Sequence, residues 1–334
     1  MIYDIHVHVA GFGSDASGNY LSPGFQKSLA FRSFSRRLGI SAETVQSDCD
    51  HRIASRILGW LDDSNIDRAV LLAFDAAYDE NGTRDLKHTR MVTDNDFVAD
   101  LADVHEKVLF GASIHPYRRD ALTQLERLIE RGACLVKWIP SAQNIRPEDP
   151  RCFPFYEMLA RHRIPLLCHA GTEHTLRAFP NSLNDPRRLT AALERGVTVI
   201  AAHCGTRIFL YDRSYFGAWQ TMALQHRDLW GDISAFGLIT RIWRLRWLLK
   251  SSVVSKLLFG SDFPVPAMPL SCVGCISPRK ARELRRLDNP FDQSLALMKA
   301  VGVPREVFTR AGELLRIPEN KRGTRATRLE ASRS

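Results

Sequence analysis

Residues 164–204 read IPLLCHAGTEHTLRAFPNSLNDPRRLTAALERGVTVIAAHC, and this stretch decides the fold. It begins and ends with short apolar runs, IPLLCHA (164–170) and VTVIAAHC (197–204), which are typical of buried parallel strands. Between them, DPRRLTAALERG (185–196) starts with Asp-Pro and ends with Gly, as short helices do. The stretch therefore predicts a strand, a helix and a second strand that is parallel to the first.

The same alternation extends along the whole chain. Eight short apolar runs are separated by longer amphipathic segments; the runs are residues 2–9, 68–74, 107–115, 134–140, 164–170, 197–204, 229–236 and 255–263. Eight strand–helix units predict an α/β fold of the (β/α)₈ TIM-barrel type. An open doubly wound sheet also alternates, but one that binds a dinucleotide has a glycine-rich turn after its first strand. No GxGxxG motif follows residues 2–9.

Two connections are much longer than ordinary loops between a strand and a helix. Residues 10–50 separate the first strand from its expected helix, and residues 264–288 follow the eighth strand. Because loops at the active end of a barrel often enclose the substrate, we expect these insertions to form a lid or a wall. The barrel domain is predicted over residues 1–316, and the basic segment 317–334 is expected to be a disordered tail.

Polar residues with metal-binding chemistry stand near the carboxyl ends of five of these strands. Residues i and i+2 of a strand face the same side, so His6 and His8 are expected to point together. Ile5 and Val7 are then expected to face the helices. The other four polar residues are Lys137, His169, His203 and Asp262, at intervals of 32, 34 and 59 residues. These intervals are about one, one and two strand–helix units, and in a barrel such strand ends meet at one mouth.

Imidazoles and a carboxylate gathered at one point suit Zn²⁺, Mn²⁺ or Fe²⁺. An ion that keeps one position open lowers the pKa of its water toward ~7 and so provides a nucleophile at neutral pH. Asp262 is placed to take the proton of that water and pass it to the leaving group. Lys137 leaves two alternatives open: a carbamate that bridges two metal ions, or an amine that holds an anionic group of the substrate.

The segments DIHVH, VKW, PLLCHAG, IAAHCG and FGSDFP, in this order, resemble the amidohydrolase superfamily of metal-dependent hydrolases. The resemblance covers about residues 2–315 and is closest to the amidohydrolase-2 branch, which includes aminocarboxymuconate-semialdehyde decarboxylase. It implies four ligands of the catalytic metal: His6, His8, His169 and Asp262. It implies that His203 binds a second metal or acts as an acid or base, and that Lys137 matches the carboxylated lysine of two-metal members. Gly312 departs from the branch, which has Asn at the start of the last helix.

Three further residues are candidates for substrate contact from their position alone: His115, Trp138 and His174. His115 ends the third strand, and the other two lie near the fourth and fifth strands. The alternative for each is a role in packing or in support of the site. Cys272 and Cys275 form a CxxC motif after the eighth strand, compatible with half a zinc site or a redox pair, but no second CxxC completes a zinc site.

The composition, with 45% hydrophobic and 25% charged residues, is that of a globular protein. No apolar run reaches the ~18 residues that a membrane span needs, and no signal peptide precedes the first strand. We therefore expect a cytoplasmic protein with reduced thiols and no membrane partner. The expected partner is a small-molecule substrate, and a homodimer is left open.

The leading hypothesis is a metal-dependent hydrolase that cleaves a C–O or C–N bond in a small, carboxylate-bearing lactone, ester or amide. The alternative keeps the one or two metal ions but decarboxylates an aromatic or muconate-like acid without hydrolysis. The net charge of +9 also raises a metal-dependent nuclease. The nuclease branch of the superfamily has Glu where Lys137 stands, so nucleic acid is disfavoured as a partner. A non-enzymatic binding protein is disfavoured because all the expected ligands are present.

Overall fold

The computed structural model describes residues 1–9, 11–13, 17–38 and 49–321. Eight strands form one parallel sheet in which each strand pairs with the next along the chain. They are β1 Tyr3–His8, β2 Arg68–Leu72, β3 Val108–Ala112, β4 Ala133–Trp138, β5 Leu166–His169, β6 Val199–Ala202, β7 Leu229–Asp232 and β8 Leu257–Leu258. Seven predicted apolar runs contain one of these strands each, and the fourth run overlaps β4, which begins one residue earlier, at Ala133. The agreement arises because strands covered on both faces need apolar side chains on both.

The two ends of the sheet meet through the backbone of β1 and the residues after β8. Asp262 N donates a hydrogen bond to His6 O at 2.9 Å, and His8 N donates to Phe263 O at 2.8 Å. The result is the predicted (β/α)₈ barrel. The seam between the first and last strands also brings the histidines of β1 next to Asp262.

Helices surround the barrel. They are α1 Pro23–Gln26, α2 Leu29–Leu38, α3 Cys49–Asp62, α4 Asn95–Val104, α5 Ala121–Glu130, α6 Pro140–Gln143, α7 Phe153–His162, α8 Thr190–Glu194, α9 Phe216–Gln225, α10 Ile239–Leu248, α11 Pro278–Arg285, α12 Pro290–Val301, α13 Arg305–Thr309 and α14 Ala311–Leu314. The predicted helix at 185–196 begins as a 3₁₀ turn, Pro186–Leu189, before α8, with the Asp185 side chain capping the turn. Among the described residues, no helix combines the length and apolar character that crossing a membrane requires.

A bulge in β1 changes which of its residues face inward. The pairing with β2 shifts between Asp4, opposite Ala69, and Val7, opposite Leu71, so β1 holds one extra residue. Val7 packs between the barrel and the helices, as predicted. Ile5 instead belongs to the cluster inside the barrel. The expectation that Ile5 faces the helices is therefore wrong, because strict alternation does not survive a bulge.

The interior of the barrel is closed at its amino-terminal end by the C-terminal segment. Leu315 and Ile317 join the inner cluster that contains Ile5. Gly312 lies against the ring of Tyr3, and a Cβ at this position would come 2.8 Å from the Tyr3 hydroxyl oxygen. The close contact explains why a residue without a side chain occupies this position.

The packed chain continues past the predicted boundary at residue 316. Ile317 is buried, and the Lys321 ammonium donates hydrogen bonds to the backbone oxygens of Ala102, His105 and Val108. Residues 317–321 are therefore part of the barrel rather than of a tail. The remainder of the predicted tail, residues 322–334, lies outside the described residues.

Part of the long segment after β1 folds against the carboxyl mouth of the barrel. Tyr20–Leu21 pairs antiparallel with Met91–Val92, and α1 and α2 follow. The buried Asp50 carboxylate holds this segment, since it accepts hydrogen bonds from Gly13 N and from the Asn19 amide at 3.1 and 3.0 Å. Residues 10, 14–16 and 39–48 of the predicted insertion lie outside the described residues. The insertion at 264–288 contains the 3₁₀ turn Pro269–Cys272 and α11.

Candidate active site

Five strand ends bring the six predicted polar residues together at the carboxyl mouth. We call them the six-residue cluster: His6, His8, Lys137, His169, His203 and Asp262. His6 Nε2 lies 2.9 Å from Lys137 Nζ, 3.2 Å from His8 Nε2 and 3.3 Å from Asp262 Oδ1. His8 Nε2 lies 3.4 Å from the same carboxylate oxygen. The residues of β1 and Asp262 thus face one another across the seam of the barrel.

His169 and His203 form the other side of the cluster. Their ring centroids are 4.8 Å apart, and the ring of His203 stacks on that of His6 at 5.4 Å. Asp262 Oδ2 lies 3.9 Å from His203 Nε2. One carboxylate oxygen of Asp262 therefore faces His6 and His8, and the other faces His203. His169 Nε2 is buried and has no hydrogen-bond partner among the described residues.

Asp232, at the end of β7, fixes the orientation of two of these rings. Its Oδ2 accepts a hydrogen bond from His6 Nδ1, and its Oδ1 accepts one from His203 N, both at 2.8 Å. His203 Nδ1 donates to Ser234 O at 3.0 Å. In the neutral rings of His6 and His203, Nε2 is therefore left without hydrogen, as a metal ligand or a proton acceptor must be.

Asp232 was not among the residues predicted from the sequence, although a signal for it exists. It follows His203 by 29 residues and precedes Asp262 by 30. It therefore divides the 59-residue interval into two ordinary strand–helix units and marks the end of the seventh strand. A carboxylate at that position belongs to the same barrel mouth as the six-residue cluster.

The segment FGSDF builds the seam that positions His6. Gly260 leaves room for it, since a Cβ at Gly260 would lie 2.7 Å from His6 Cβ. Ser261 N donates a hydrogen bond to Asp4 Oδ1 at 2.9 Å and ties the segment to β1. Asp262 and His203 adopt left-handed backbone conformations, with φ of 61° and 57°. Such conformations are costly for residues other than glycine and are typical of functional sites.

Burial determines the charge of the cluster. It lowers the pKa of His6, His169 and His203 well below the ordinary value, so these imidazoles are neutral. It also lowers the pKa of Lys137. Burial alone would raise the pKa of Asp262, but its interactions with the neighbouring imidazoles outweigh burial and lower that pKa. The site therefore presents neutral nitrogen ligands beside an ionised carboxylate.

This donor set fits a transition-metal ion. One ligand atom from each of His6, His203 and Asp262 lies within 4.8 Å of the others. The buried His169 Nε2 has no hydrogen-bond partner among the described residues, and the neutral rings turn unprotonated nitrogens toward one another. Nitrogen lone pairs cannot satisfy each other by hydrogen bonding, whereas a cation with nitrogen and oxygen ligands satisfies them together.

A cavity opens over the cluster, with a volume of about 760 Å³ up to and including its mouth. Four members of the cluster line it: His8, His169, His203 and Asp262. Much of the remaining lining is apolar and comes from the segment after β1, including Phe12, Phe25, Phe31 and Phe34. This part of the insertion therefore forms a wall of the cavity.

Glu173, which was not among the residues predicted from the sequence, also lines the cavity. Its Oε1 accepts hydrogen bonds from Thr175 N and Leu176 N at 2.6 and 2.8 Å. Its Oε2 lies 3.8 Å from His169 Nε2. The available signal was its position, four residues after His169 in the loop that follows β5.

The three residues predicted to contact substrate lie outside the lining of this cavity. His115 is fully buried, and its Nε2 donates to Gln143 O at 2.7 Å. Trp138 follows the inward-facing Lys137 and so turns outward, where it packs on Phe155 of α7. His174 lies farther out in the loop after β5, and its Nε2 is 2.9 Å from an oxygen of Asp212. Each side chain already has its partners within the fold.

Several solved structures have a similar fold. An uncharacterised TIM-barrel protein from Bordetella bronchiseptica is 16% identical, with a TM-score of 0.57 over 90% of this chain and 99% of that one. The 5-carboxyvanillate decarboxylase of Sphingomonas paucimobilis is 11% identical, with a TM-score of 0.53 over 95% and 99%. A candidate 2-pyrone-4,6-dicarboxylic acid hydrolase from Pseudomonas putida is 15% identical, with a TM-score of 0.53 over 94% of each chain. At these identities the similarity shows the shared barrel fold.

Comparison of the sequence with family models identifies the family as well as the fold. Among curated proteins, none matches this chain. A family model described as amidohydrolase matches residues 3–271, from the first strand to beyond the eighth, and the match includes the whole six-residue cluster. The chain therefore belongs to the amidohydrolase family, in its amidohydrolase-2 branch.

Proposed function

We propose that this protein is a metal-dependent hydrolase that cleaves a C–O or C–N bond, as in a lactone, an ester or an amide. The substrate proposed is a small molecule that bears a carboxylate. One observation carries the proposal: neutral imidazole nitrogens and an ionised carboxylate converge at the barrel mouth, and the buried His169 Nε2 has no partner among the described residues. Membership of a family that typically depends on metals supports it.

Four side chains would hold the catalytic ion: His6, His8, His169 and Asp262. His203 and Lys137, the latter as a carbamate, would hold a second ion in a two-metal form. When bound, Zn²⁺, Mn²⁺ or Fe²⁺ supplies Lewis acidity, which lowers the pKa of water and polarises a carbonyl group. Asp232 orients the ring of His6 for metal binding, because its carboxylate accepts a hydrogen bond from His6 Nδ1.

Asp262 is the proposed carrier of the reaction's proton. It is ionised at neutral pH because its pKa is lowered, and it lines the cavity in which a substrate would lie. Its carboxylate accepts the proton of the attacking water and then delivers it to the leaving oxygen or nitrogen. His203 Nε2, 3.9 Å from Asp262 Oδ2, is a second proton acceptor at the same place.

Non-hydrolytic decarboxylation is the second candidate, and the apolar wall of the cavity favours it. Loss of CO₂ from a carboxylate disperses negative charge, and a site that excludes water assists such a step. The phenylalanines of the segment after β1 would exclude water from the reacting group. The same side chains would suit the apolar body of a substrate that is hydrolysed, so product analysis is needed to separate the two reactions.

The proposal is tested with protein purified under metal-replete conditions. We expect stoichiometric transition metal by elemental analysis, and turnover of at least one member of a panel of carboxylate-bearing lactones, esters and amides. Hydrolysis in ¹⁸O-labelled water should place ¹⁸O in the organic product, whereas a decarboxylase would release CO₂ and leave its organic product unlabelled. Asp262→Asn should lower kcat at least ~100-fold while the circular dichroism spectrum is unchanged.

Three results would count against the proposal. Absence of bound metal in active protein would remove its basis. A kcat of Asp262→Asn close to that of the wild type would show that Asp262 does not carry the proton. Release of CO₂ with no ¹⁸O in the organic product would favour the decarboxylase.

A further inference from the structure

Arg241, in the first turn of α10, is a buried cation that has no hydrogen-bond or ion-pair partner among the described residues. Its side chain is 2% exposed, and its Nε has no hydrogen-bond partner among the described residues. It forms no ion pair with a described carboxylate, unlike Arg118, which lies 3.2 Å from Asp75. A buried guanidinium without hydrogen bonds or a close counter-ion is costly, so structures seldom retain one without a function.

Arg241 lies at the carboxyl mouth of the barrel, because α10 begins at Ile239, a few residues after Asp232 ends β7, and Ser234 in this connection binds His203 Nδ1. Arg241 is the charge that lowers the pKa of His203 most strongly after burial, and it also lowers that of His169. The carboxylates of Asp262, Asp232 and Glu173 act on Arg241 in turn, but none of them forms an ion pair with it. These negative charges favour the charged form of Arg241, but no described residue accepts a hydrogen bond from its guanidinium.

We propose that Arg241 binds the carboxylate of the substrate and so determines specificity for anionic substrates. The proposal rests on the function proposed above and identifies the residue that recognises the anionic group. A guanidinium presents a planar set of N–H donors that matches the two oxygens of a carboxylate. The substrate carboxylate would supply the counter-ion and the hydrogen-bond acceptors that the described residues do not provide to Arg241.

The cavity indicates what is attached to that carboxylate. Its lining beyond the cluster includes Phe12, Phe25, Phe31 and Phe34, which offer contact to an apolar or aromatic body. Arg241 is not part of this lining, so a substrate would have to reach past the lining with its carboxylate while its apolar body contacts these phenylalanines.

Benzoate is a probe with these two parts, and benzamide is its uncharged counterpart. Both are titrated by calorimetry into metal-loaded wild type, Arg241→Gln, Arg241→Lys and Arg244→Gln. Arg244 is the matched control, because it lies on the same helix, is exposed and contacts the ring of Phe216. We expect benzoate affinity to fall about 10- to 100-fold in Arg241→Gln and less in Arg241→Lys, with no change in Arg244→Gln. Benzamide affinity should be the same in all four proteins.

Thermal unfolding separates this function from a structural one. Arg241→Gln removes an unpaired buried charge, so its Tm should equal or exceed that of the wild type. Equal benzoate affinity in Arg241→Gln and wild type, including no binding by either, would overturn the proposal. So would a large fall in Tm in both Arg241 variants, because it would show that the cation supports the fold.

The measurement does not require turnover, so the two proposals can fail separately. Arg241-dependent benzoate binding by a protein that hydrolyses no member of the panel would overturn the proposed function and leave the anion site in place. Hydrolysis of a carboxylate ester with the same kcat/KM in wild type and Arg241→Gln would confirm the function and overturn the anion site.

Discussion

The ring of His6 is held by the carboxylate of Asp232, with 2.8 Å between Nδ1 and Oδ2. The two residues come from the first and seventh strands, 226 positions apart in the chain. Asp232 also accepts a hydrogen bond from His203 N at 2.8 Å, so one carboxylate orients ligands on two strands. Removing this acceptor should weaken metal binding, although none of the proposed metal ligands is substituted.

Asp232→Asn should lower the affinity for Zn²⁺ by about 10- to 100-fold, as is usual when a partner of a ligating histidine is removed. The amide cannot accept hydrogen bonds from both His6 and His203 through two oxygens. Affinity is measured by competition with a chromophoric chelator. Asp228→Asn, exposed and just before the same strand, is the matched control and should bind like the wild type. Equal affinities in the two variants would show that Asp232 does not position the site.

Gly260→Ala should damage both the site and the fold. Its Cβ would lie 2.7 Å from His6 Cβ, so either the backbone or the histidine must shift. We expect a loss of about 1–3 kcal/mol in the free energy of unfolding, together with reduced metal content. Gly59→Ala in α3 is the control, because its Cβ meets nothing within 4 Å. In Gly59→Ala, urea titration should give a free energy of unfolding equal to or slightly higher than that of the wild type.

His115 should make stability depend on pH. Burial lowers its pKa in the folded protein to about 3, whereas the unfolded chain titrates near ~6.5. As the pH falls below that value, the unfolded state takes up the proton first. The stabilisation is therefore complete above pH ~6.5 and declines by about 1.4 kcal/mol per pH unit toward the folded pKa.

His115→Gln removes this titration. The free energy of unfolding, from urea titrations between pH 4.5 and 6, should change less steeply with pH in the variant, by about one proton. Identical slopes in the two proteins would mean that the folded state protonates His115 as readily as the unfolded chain does.

The state of Lys137 and the number of metal ions should change together. The amine is fully buried, with Nζ 2.9 Å from His6 Nε2. A carbamate at this position would supply oxygen ligands for a second ion, whereas a free amine would leave ligands for one. Elemental analysis gives the metal count, and ¹³C NMR after growth on labelled bicarbonate detects the carbamate. Two ions per chain with a free amine would contradict the proposed role of Lys137.

The strands and the six-residue cluster were predictable because both depend on periodicity. Apolar runs mark the strands, and strand ends separated by one strand–helix unit must meet at the mouth of a barrel. The inward position of Ile5 was not predictable, because a bulge depends on pairing with β2 and leaves no mark in one strand. Trp138 was misplaced for a related reason: it neighbours Lys137 in the sequence, but adjacent residues of a strand face opposite sides.

The positions of Glu173 and Arg241 relative to the site required the structure. Both lie outside the strands, on a loop and a helix whose geometry the sequence pattern does not define. A run of basic residues such as 240–256 usually indicates a solvated surface, and only burial distinguishes Arg241 from its exposed neighbours.

The seam between the first and last strands determines when the metal site can exist. Ser261 N and Asp4 Oδ1, joined by a 2.9 Å hydrogen bond, are 257 residues apart. During synthesis, the two histidines of β1 leave the ribosome long before Asp262 is made. A nascent chain therefore lacks the complete site, and a metal ion bound there would stabilise only the chain that has closed the barrel.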